Sequence, residues 1–471
     1  MHVIPQSWSH WHILISVFPS LGLLFGLGLS IAGARTGDDF TRRTWLVLFG
    51  LLALLSIPIY VSGAGSAAAL SGNARFSEDA INAHYLWGVV ALAVLVIGGA
   101  LAGVTLWRAW SARQEVKDPL HLVLGLAIAA LGLTLVADDL GWKINHRELA
   151  LAITIPDIST SQVWSHVHIV LNHVPTAGFV FALAFFIAAL IVNNDVLKRA
   201  SLTLFVICSV AGVPTYVAGT AAMWALTQPP IPDLSISKAA INAHRDMALW
   251  TLFGLAFTGA AAWIELWRSR HRGRFSPLAL NLVLLFAIVT LGIMTETGHR
   301  GGLINHPEIH LASEIIPTDE NAGISVALEN LMKESPWFLP WQIVHFFGYC
   351  LIFGAALAVV LRVLGYWKSA SFAAMHQLLL LGFIGVLMNV VSGMFMMMSD
   401  SYRYVVSDAA FAPKMVFLAL GAVTVLYFSV SNRLWNVRGS EDAPIGAKWV
   451  AAIVLLAWAG VIVCGRLLPY L

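Results

Sequence analysis

The chain has 471 residues, of which 59% are hydrophobic and only 11% are charged, and its formal net charge at pH 7 is +2. Soluble globular proteins carry about 25% charged residues, so the composition is that of an integral membrane protein, and the small net charge gives no basis for nucleic-acid binding. Cys208, Cys350 and Cys464 stand singly within apolar runs. This spacing gives no support for a c-type haem, a thiolate zinc site or a disulfide framework.

Membrane-spanning helices are predicted from the apolar runs, because a helix that crosses a bilayer needs about 20 apolar residues. Twelve such runs are present. They lie near residues 11–33, 44–65, 84–107, 120–138, 169–192, 199–221, 245–267, 277–297, 339–364, 373–397, 414–431 and 447–468. The predicted fold class is therefore an all-α integral membrane protein.

The first eight predicted helices are two copies of one four-helix unit. Each copy has an even number of spans, so the copies are parallel and their matching motifs emerge on the same face of the membrane. The matches pair Ser9-His10-Trp11-His12 with Ser165-His166-Val167-His168, Pro58-Ile59-Tyr60-Val61-Ser62-Gly63 with Pro214-Thr215-Tyr216-Val217-Ala218-Gly219, Ile81-Asn82-Ala83-His84 with Ile241-Asn242-Ala243-His244, and Ile144-Asn145-His146 with Ile304-Asn305-His306.

The last four predicted helices show no such match. They follow a polar, acidic connection in which Ser325–Glu334 is predicted to form an amphipathic surface helix. The predicted domains are thus a first repeat (residues 1–150), a second repeat (162–310) and a four-helix C-terminal module (336–471).

The distribution of Lys and Arg predicts the orientation in the membrane. One end of the helices collects most of them, for example Arg108, Arg268 and Arg270, whereas the long connections at the opposite end are acidic. Basic loops favour the cytoplasmic side. We therefore predict a multi-pass inner (plasma) membrane protein with both termini outside, in the periplasm of a Gram-negative source.

Three histidines of the second repeat are predicted to meet at the outer ends of its helices. His173 lies in the first helix, His244 opens the third and His299 closes the fourth. Facing histidines on different helices of a four-helix bundle can hold a b-type haem, because neutral imidazoles supply both axial ligands of the iron. Imidazole also binds copper and zinc, so copper remains an alternative.

The first repeat is a poorer site by the same criterion. It has Val17, His84 and Asp139 at the positions of the three histidines. Either it has lost its cofactor, or His10, His12 and His84 bind a different one. Loss is favoured, with the repeat kept as a packing scaffold.

Two further positions have alternative interpretations. His345, in the C-terminal module, is predicted near the depth of Met394 and Met396–Met398, and a methionine cluster suits Cu(I). Methionine is also an adaptable filler of helix interfaces, which is the favoured interpretation. Arg245, beside His244, is predicted to anchor a haem propionate or to pair with Asp246.

The second repeat resembles bacterial four-helix membrane proteins of unknown function that are regarded as distant relatives of the b-type cytochromes. The motifs that carry the resemblance are His173-Val174-Pro175-Thr176-Ala177-Gly178, Asn242-Ala243-His244 and Gly298-His299-Arg300-Gly301-Gly302. The first repeat shows the same pattern in degraded form, and the C-terminal module is weakly similar to uncharacterised and copper-resistance membrane domains. The resemblance implies a haem-binding electron-transfer module, with His173, His244 and His299 as its binding residues.

The sequence therefore predicts a b-type haem protein that carries electrons between a periplasmic redox protein and the lipid or quinone pool. His173 and His244 are the expected axial ligands, with His299 as a third candidate. No nucleophile–base pair, phosphate loop or pair of catalytic carboxylates is visible in the sequence. We therefore favour an electron-transfer subunit over an independent enzyme, with subunits of a membrane complex among its expected partners. The rival hypotheses are a copper-handling or small-solute transport protein, with His173, His244, His299 and His345 as metal ligands, and a scaffold subunit without cofactor.

Overall fold

The computed structural model describes residues 7–37, 39–73, 76–113, 115, 120–145, 160–227, 236–306, 309, 317–333, 336–401, 403–407 and 409–468. Within these ranges the chain is helical and contains no strand. Among the described residues, twelve helical segments are long and apolar enough to cross a membrane, and each overlaps one of the predicted spans. The prediction of an all-α, multi-pass membrane protein is confirmed. His146 and much of the connection after His306 lie outside the described residues.

Two compact units make up the chain. One comprises Met1–Asp157 with Gly301–Ile315, and the other comprises Ile158–Arg300 with Ile316–Leu471. The helices of the second repeat and of the C-terminal module therefore belong largely to the same unit. Whether the three domains predicted from the sequence fold separately stays a prediction.

The first repeat contains five described helices, because its first predicted span is broken in two. They are α1 (Trp8–Ile15), α2 (Phe18–Thr36), α3 (Asp39–Leu70), α4 (Glu78–Ser111) and α5 (Leu120–Asn145). The helices of the second repeat follow the same order. They are α6 (Thr160–Leu171), α7 (His173–Ile191), α8 (Asp195–Thr227), α9 (Lys238–Arg272) and α10 (Pro277–Asn305).

A proline explains the break in the first span of each repeat. Pro19 lies in the first turn of α2, and Pro175 lies in the first turn of α7. Proline has no N–H and its ring crowds the preceding turn, so a helix bends or restarts there. In the second repeat the Thr215 hydroxyl of α8 lies 3.5 Å from the carbonyl oxygen of Leu171 at the break, but it donates over the shorter distance of 2.8 Å to Ala211 O of its own helix.

The C-terminal module consists of long spans joined by short helical segments. The connection before it contains α11 (Ile324–Lys333). The described elements of the module are α12 (Phe338–Leu364), α13 (Phe372–His376), α14 (Leu379–Ser399), a π-helical turn (Arg403–Ser407), α15 (Phe411–Val430), α16 (Asn432–Trp435) and α17 (Ile445–Leu467). The predicted amphipathic helix corresponds to α11.

One apolar core joins the second repeat to the C-terminal module inside their compact unit. Trp263 of α9 packs edge-on against Phe383 of α14, with ring centres 4.6 Å apart, and its indole N–H donates to Ser429 Oγ of α15 over 2.9 Å. A buried tryptophan packs well where its N–H also finds an acceptor.

At the end of the helices predicted to be cytoplasmic, hydrogen bonds from Lys368 and Lys448 lower the pKa of the exposed Asp442.

Candidate functional site

Two histidines from different helices face each other in the second repeat. His168 lies near the end of α6 and His244 near the start of α9, and their ring centres are 6.4 Å apart with the planes at 76°. Each ring is held by a backbone oxygen, because His168 Nδ1 lies 3.0 Å from Thr215 O and His244 Nδ1 lies 3.0 Å from Thr297 O. Both rings are partly buried. The helix pair therefore presents two oriented imidazoles.

These hydrogen bonds determine which nitrogen of each neutral ring carries the proton. A carbonyl oxygen can only accept, so Nδ1 is the donor in both rings and Nε2 carries the lone pair. A histidine that binds a metal commonly donates its other N–H to a backbone carbonyl, which fixes the tautomer and the orientation of the ring. His168 and His244 have this arrangement, so Nε2 is the nitrogen of each ring that could bind a metal.

A glycine allows His168 to lie this close to α8. A Cβ atom on Gly219 would be 2.8 Å from His168 Cε1 and 3.0 Å from His168 Nδ1. Gly219 follows Thr215 by one helical turn, so the imidazole rests on the glycine while Nδ1 reaches the Thr215 carbonyl. Any side chain at this position would push the ring away from its acceptor.

The first repeat builds the same arrangement from the matching positions. His12 Nδ1 lies 3.1 Å from Ile59 O, and His84 Nδ1 lies 2.8 Å from Ala137 O. The two ring centres are 5.7 Å apart at 73°, and the two Nε2 atoms are 3.4 Å apart. A Cβ atom on Gly63 would lie 2.8 Å from His12 Cε1. His12 and His84 therefore match His168 and His244, and the two glycines also match.

The spacing of the rings is informative about what each pair can hold. Metal–imidazole bonds are about 2 Å long, so two imidazoles on opposite sides of one metal ion have Nε2 atoms about 4 Å apart and ring centres about 6 Å apart. The 6.4 Å between the rings of the second repeat fits this distance. The 5.7 Å in the first repeat is slightly short of it.

The site residues predicted in the two repeats lie close to the facing pair of the second repeat or at matching positions of the first repeat. His173 begins α7 and is close enough to His168 for an electrostatic interaction, but the ring that stands opposite His244 is that of His168. His299 lies on α10, two residues after Thr297, whose carbonyl holds His244. Val17, at the position of His173, falls in the break between α1 and α2.

Arg245 contacts α11 rather than Asp246. Its guanidinium forms an ion pair with Glu329, and both side chains are largely buried. Asp246 instead accepts hydrogen bonds from the backbone N–H groups of Ile324 and Ser325, at 3.2 and 2.8 Å, and so caps the start of α11. Two successive residues after His244 therefore hold α11 against the start of α9.

His345 belongs to another part of the bundle. Its Nδ1 lies 3.0 Å from Ser392 Oγ, and Asn389 of α14 donates to its backbone oxygen over 2.9 Å. Met394, Met397 and Met398 are buried in an apolar cluster, as expected for filler residues. Within the parts of the chain that the structure describes, no group of three or more His, Cys, Asp or Glu side chains is placed to hold a metal ion. His173, His244, His299 and His345 are thus not gathered into one group.

Sequence reasoning missed His168 as the partner of His244. The signal was present, because the Ser-His-x-His motif recurs with its second histidine unchanged, whereas His173 has no counterpart in the first repeat. The glycine that ends each Pro-x-Tyr-Val-x-Gly motif also recurs. The carbonyl acceptors left no signal, because every residue carries the same backbone oxygen.

No curated protein and no solved structure matches the chain significantly. Residues 165–307, which include both His168 and His244, match the family model described as a predicted membrane protein (DUF2231). The second repeat is therefore similar to an uncharacterised membrane protein family, in agreement with the resemblance noted from its motifs.

Proposed function

We propose that this protein is an electron-transfer protein that holds a b-type haem in its second repeat, with His168 and His244 as the axial ligands of the iron. The observation that carries the proposal is the facing pair of imidazoles, with ring centres 6.4 Å apart and each Nδ1 bonded to a carbonyl oxygen. When bound, haem supplies one-electron redox chemistry that no side chain of this chain offers.

The donor set fits haem in kind and number. Haem iron takes two axial protein ligands, since the porphyrin provides the other four. A structural zinc site needs four protein ligands, whereas each pair here supplies two. In the neutral rings the hydrogen bonds to Thr215 and Thr297 place the proton on Nδ1 and the lone pair on Nε2, as metal binding requires.

This proposal replaces His173 by His168 as the partner of His244. His173 then lies beside His168 without being a ligand. Arg245 is engaged with Glu329, so it acts here by holding α11 beside the site instead of binding a propionate.

The location of the pair indicates where electrons enter and leave. Both histidines lie at the end of the helices predicted to face outward, so exchange takes place at the periplasmic side of the inner membrane. A periplasmic redox protein or a membrane quinone is the expected partner class. The basic ends of the helices then lie in the cytoplasm, as the distribution of Lys and Arg favours.

The first test is spectroscopic. The full chain, purified in detergent, is expected to show a Soret band and a sharp reduced α-band of a low-spin, bis-histidine haem. His168→Ala and His244→Ala are each expected to remove that haem while the protein still inserts into the membrane. His173→Ala is the matched comparison, because it removes an imidazole from the adjoining helical turn and is expected to leave the haem bound.

Two outcomes contradict the proposal. Loss of haem in His173→Ala but not in His168→Ala would return the axial role to His173. A spectrum without a Soret band in the wild type, together with bound copper by elemental analysis, would support the copper-handling hypothesis instead.

A further inference from the structure

The first repeat contains an arrangement of nitrogen atoms that is unfavourable without a cation. His12 and His84 each donate Nδ1–H to a carbonyl oxygen, at 3.1 Å from Ile59 O and 2.8 Å from Ala137 O. In neutral rings both Nε2 atoms then carry lone pairs. These two atoms face each other over 3.4 Å, and two acceptors at that distance repel each other.

A shared proton, a change of tautomer in one ring or a metal ion between the Nε2 atoms would each remove this repulsion. A shared proton would form a charge-assisted hydrogen bond, whose length is about 2.7–2.9 Å. The observed 3.4 Å is longer than that. A metal ion needs about 4 Å, which requires the rings to separate by about 0.6 Å.

The match with the second repeat favours the metal ion. The same ring nitrogens bond to carbonyl oxygens at the same positions of the same helices in both repeats. Gly63 supports His12 as Gly219 supports His168, with the same 2.8 Å to Cε1. In the second repeat the rings already have the spacing of a metal-bridged pair, 6.4 Å between centres.

We infer that the first repeat is a second cofactor site, in which His12 and His84 bind the iron of another b-type haem. The inference rests on the proposed function of the second repeat. It also departs from the expectation that the first repeat has lost its cofactor. The residues that differ between the repeats, Val17 and Asp139, are not members of the facing pair, so their difference does not remove the ligands.

The duplication in the sequence predicts that both sites face the same side of the membrane, because parallel copies place equivalent motifs on one face. A chain with two haems can hold two electrons at that face. This capacity fits a partner that exchanges electrons in pairs, such as a quinol, which releases two electrons and two protons on oxidation to the quinone.

The test is the haem content of the full chain in detergent, measured by pyridine haemochrome against protein from amino-acid analysis. The wild type is expected to contain two haems per chain, and both His84→Ala and His244→Ala are expected to contain one. The double variant is expected to contain none. His121→Ala, which changes an exposed histidine at the far end of α5, is the control and is expected to retain two.

A second variant separates ligation from folding. His84→Met keeps a side chain that can bind haem iron, since His/Met ligation occurs in cytochromes and raises the reduction potential. The variant is therefore expected to retain two haems, with one of them shifted to a higher potential in a redox titration. A purely structural histidine would show no such shift.

The outcomes distinguish this inference from the proposed function. One haem per chain in the wild type, lost in His244→Ala and retained in both His84 variants, overturns the second site and leaves the first proposal intact. One haem per chain in the wild type, retained in His244→Ala and lost in His84→Ala, overturns the assignment in the second repeat alone. No haem in the wild type overturns both.

Discussion

Replacing Gly219 by alanine tests whether the support behind His168 is needed for cofactor binding. The added Cβ would lie 2.8 Å from His168 Cε1, whereas carbon atoms in contact are normally about 3.5–4.0 Å apart. The imidazole must therefore retreat by about 0.7 Å or more. Such a shift would stretch the 3.0 Å bond from His168 Nδ1 to Thr215 O to about 3.7 Å, beyond hydrogen-bonding distance.

The expected consequence is weaker haem binding with a small change in stability. Loss of the hydrogen bond that orients a metal-binding histidine typically lowers metal affinity by about 10–100-fold, which corresponds to about 1.4–2.8 kcal/mol. Overpacking costs about 1–3 kcal/mol, and the higher helix propensity of alanine offsets about 1 kcal/mol of that. The protein should therefore remain folded while it binds haem less tightly.

The assay is the transfer of haem from detergent-solubilised protein to excess apomyoglobin, followed at the Soret band. Gly292→Ala is the matched control, because this glycine also lies inside a helix of the second repeat but an added Cβ meets nothing within 4 Å. Haem should leave Gly219→Ala at least tenfold more readily than it leaves the wild type or Gly292→Ala. Equal retention in all three proteins would refute the role given to the glycine.

Three further predictions concern the rest of the chain. Glu329→Gln removes the ion-pair partner of the buried Arg245 and should lower the free energy of unfolding, measured by thermal unfolding, by about 3 kcal/mol. Glu320→Gln is the control, because Glu320 forms an exposed 4.0 Å pair with Lys238, and it should change that free energy by less than about 1 kcal/mol. Equal effects of the two substitutions would contradict this prediction. The carboxylate of Asp442 has a lowered pKa in the folded protein. The stabilisation from its pairs with lysine is therefore complete above the ordinary pKa of 3.8 and is lost as the pH falls through the lower pKa of the folded state. The thermal unfolding midpoints of the wild type and of Asp442→Asn should converge in that acid range. Asn321→Cys places a thiol in an exposed turn before α11. If the connection lies outside, this thiol should react with a membrane-impermeant maleimide in intact cells. A thiol that reacts only after the cells are lysed would reverse the predicted orientation.

The fold class has local signals in the sequence, whereas the facing histidine pair does not. The apolar runs and the repeated motifs were sufficient for the all-α membrane class and for twelve spans, which the structure contains within its described residues. The breaks at α1–α2 and α6–α7 follow from Pro19 and Pro175. They were not predicted, because twenty apolar residues around a proline still read as one span.

The choice between His168 and His173 shows what was missing at the site. Both residues lie near the same end of the first span of the second repeat, and sequence places them at similar depths. Which of them faces His244 depends on the rotation of α6 and α7 on either side of Asn172, where the helix is interrupted. That rotation is set by packing against α8, so it has no local signal.

By itself the sequence determined that this chain is a multi-pass helical membrane protein with an internal duplication, because the length of apolar runs and the recurrence of motifs are properties of neighbouring residues. Only the tertiary structure decided that His12 faces His84 and that His168 faces His244, since those residues are far apart in the chain. It also decided which ring nitrogen carries the proton, because the acceptors are backbone oxygens of Ile59, Thr215 and their counterparts on α5 and α10. Backbone atoms are the same in every residue, so only their positions in the folded bundle make them part of a site.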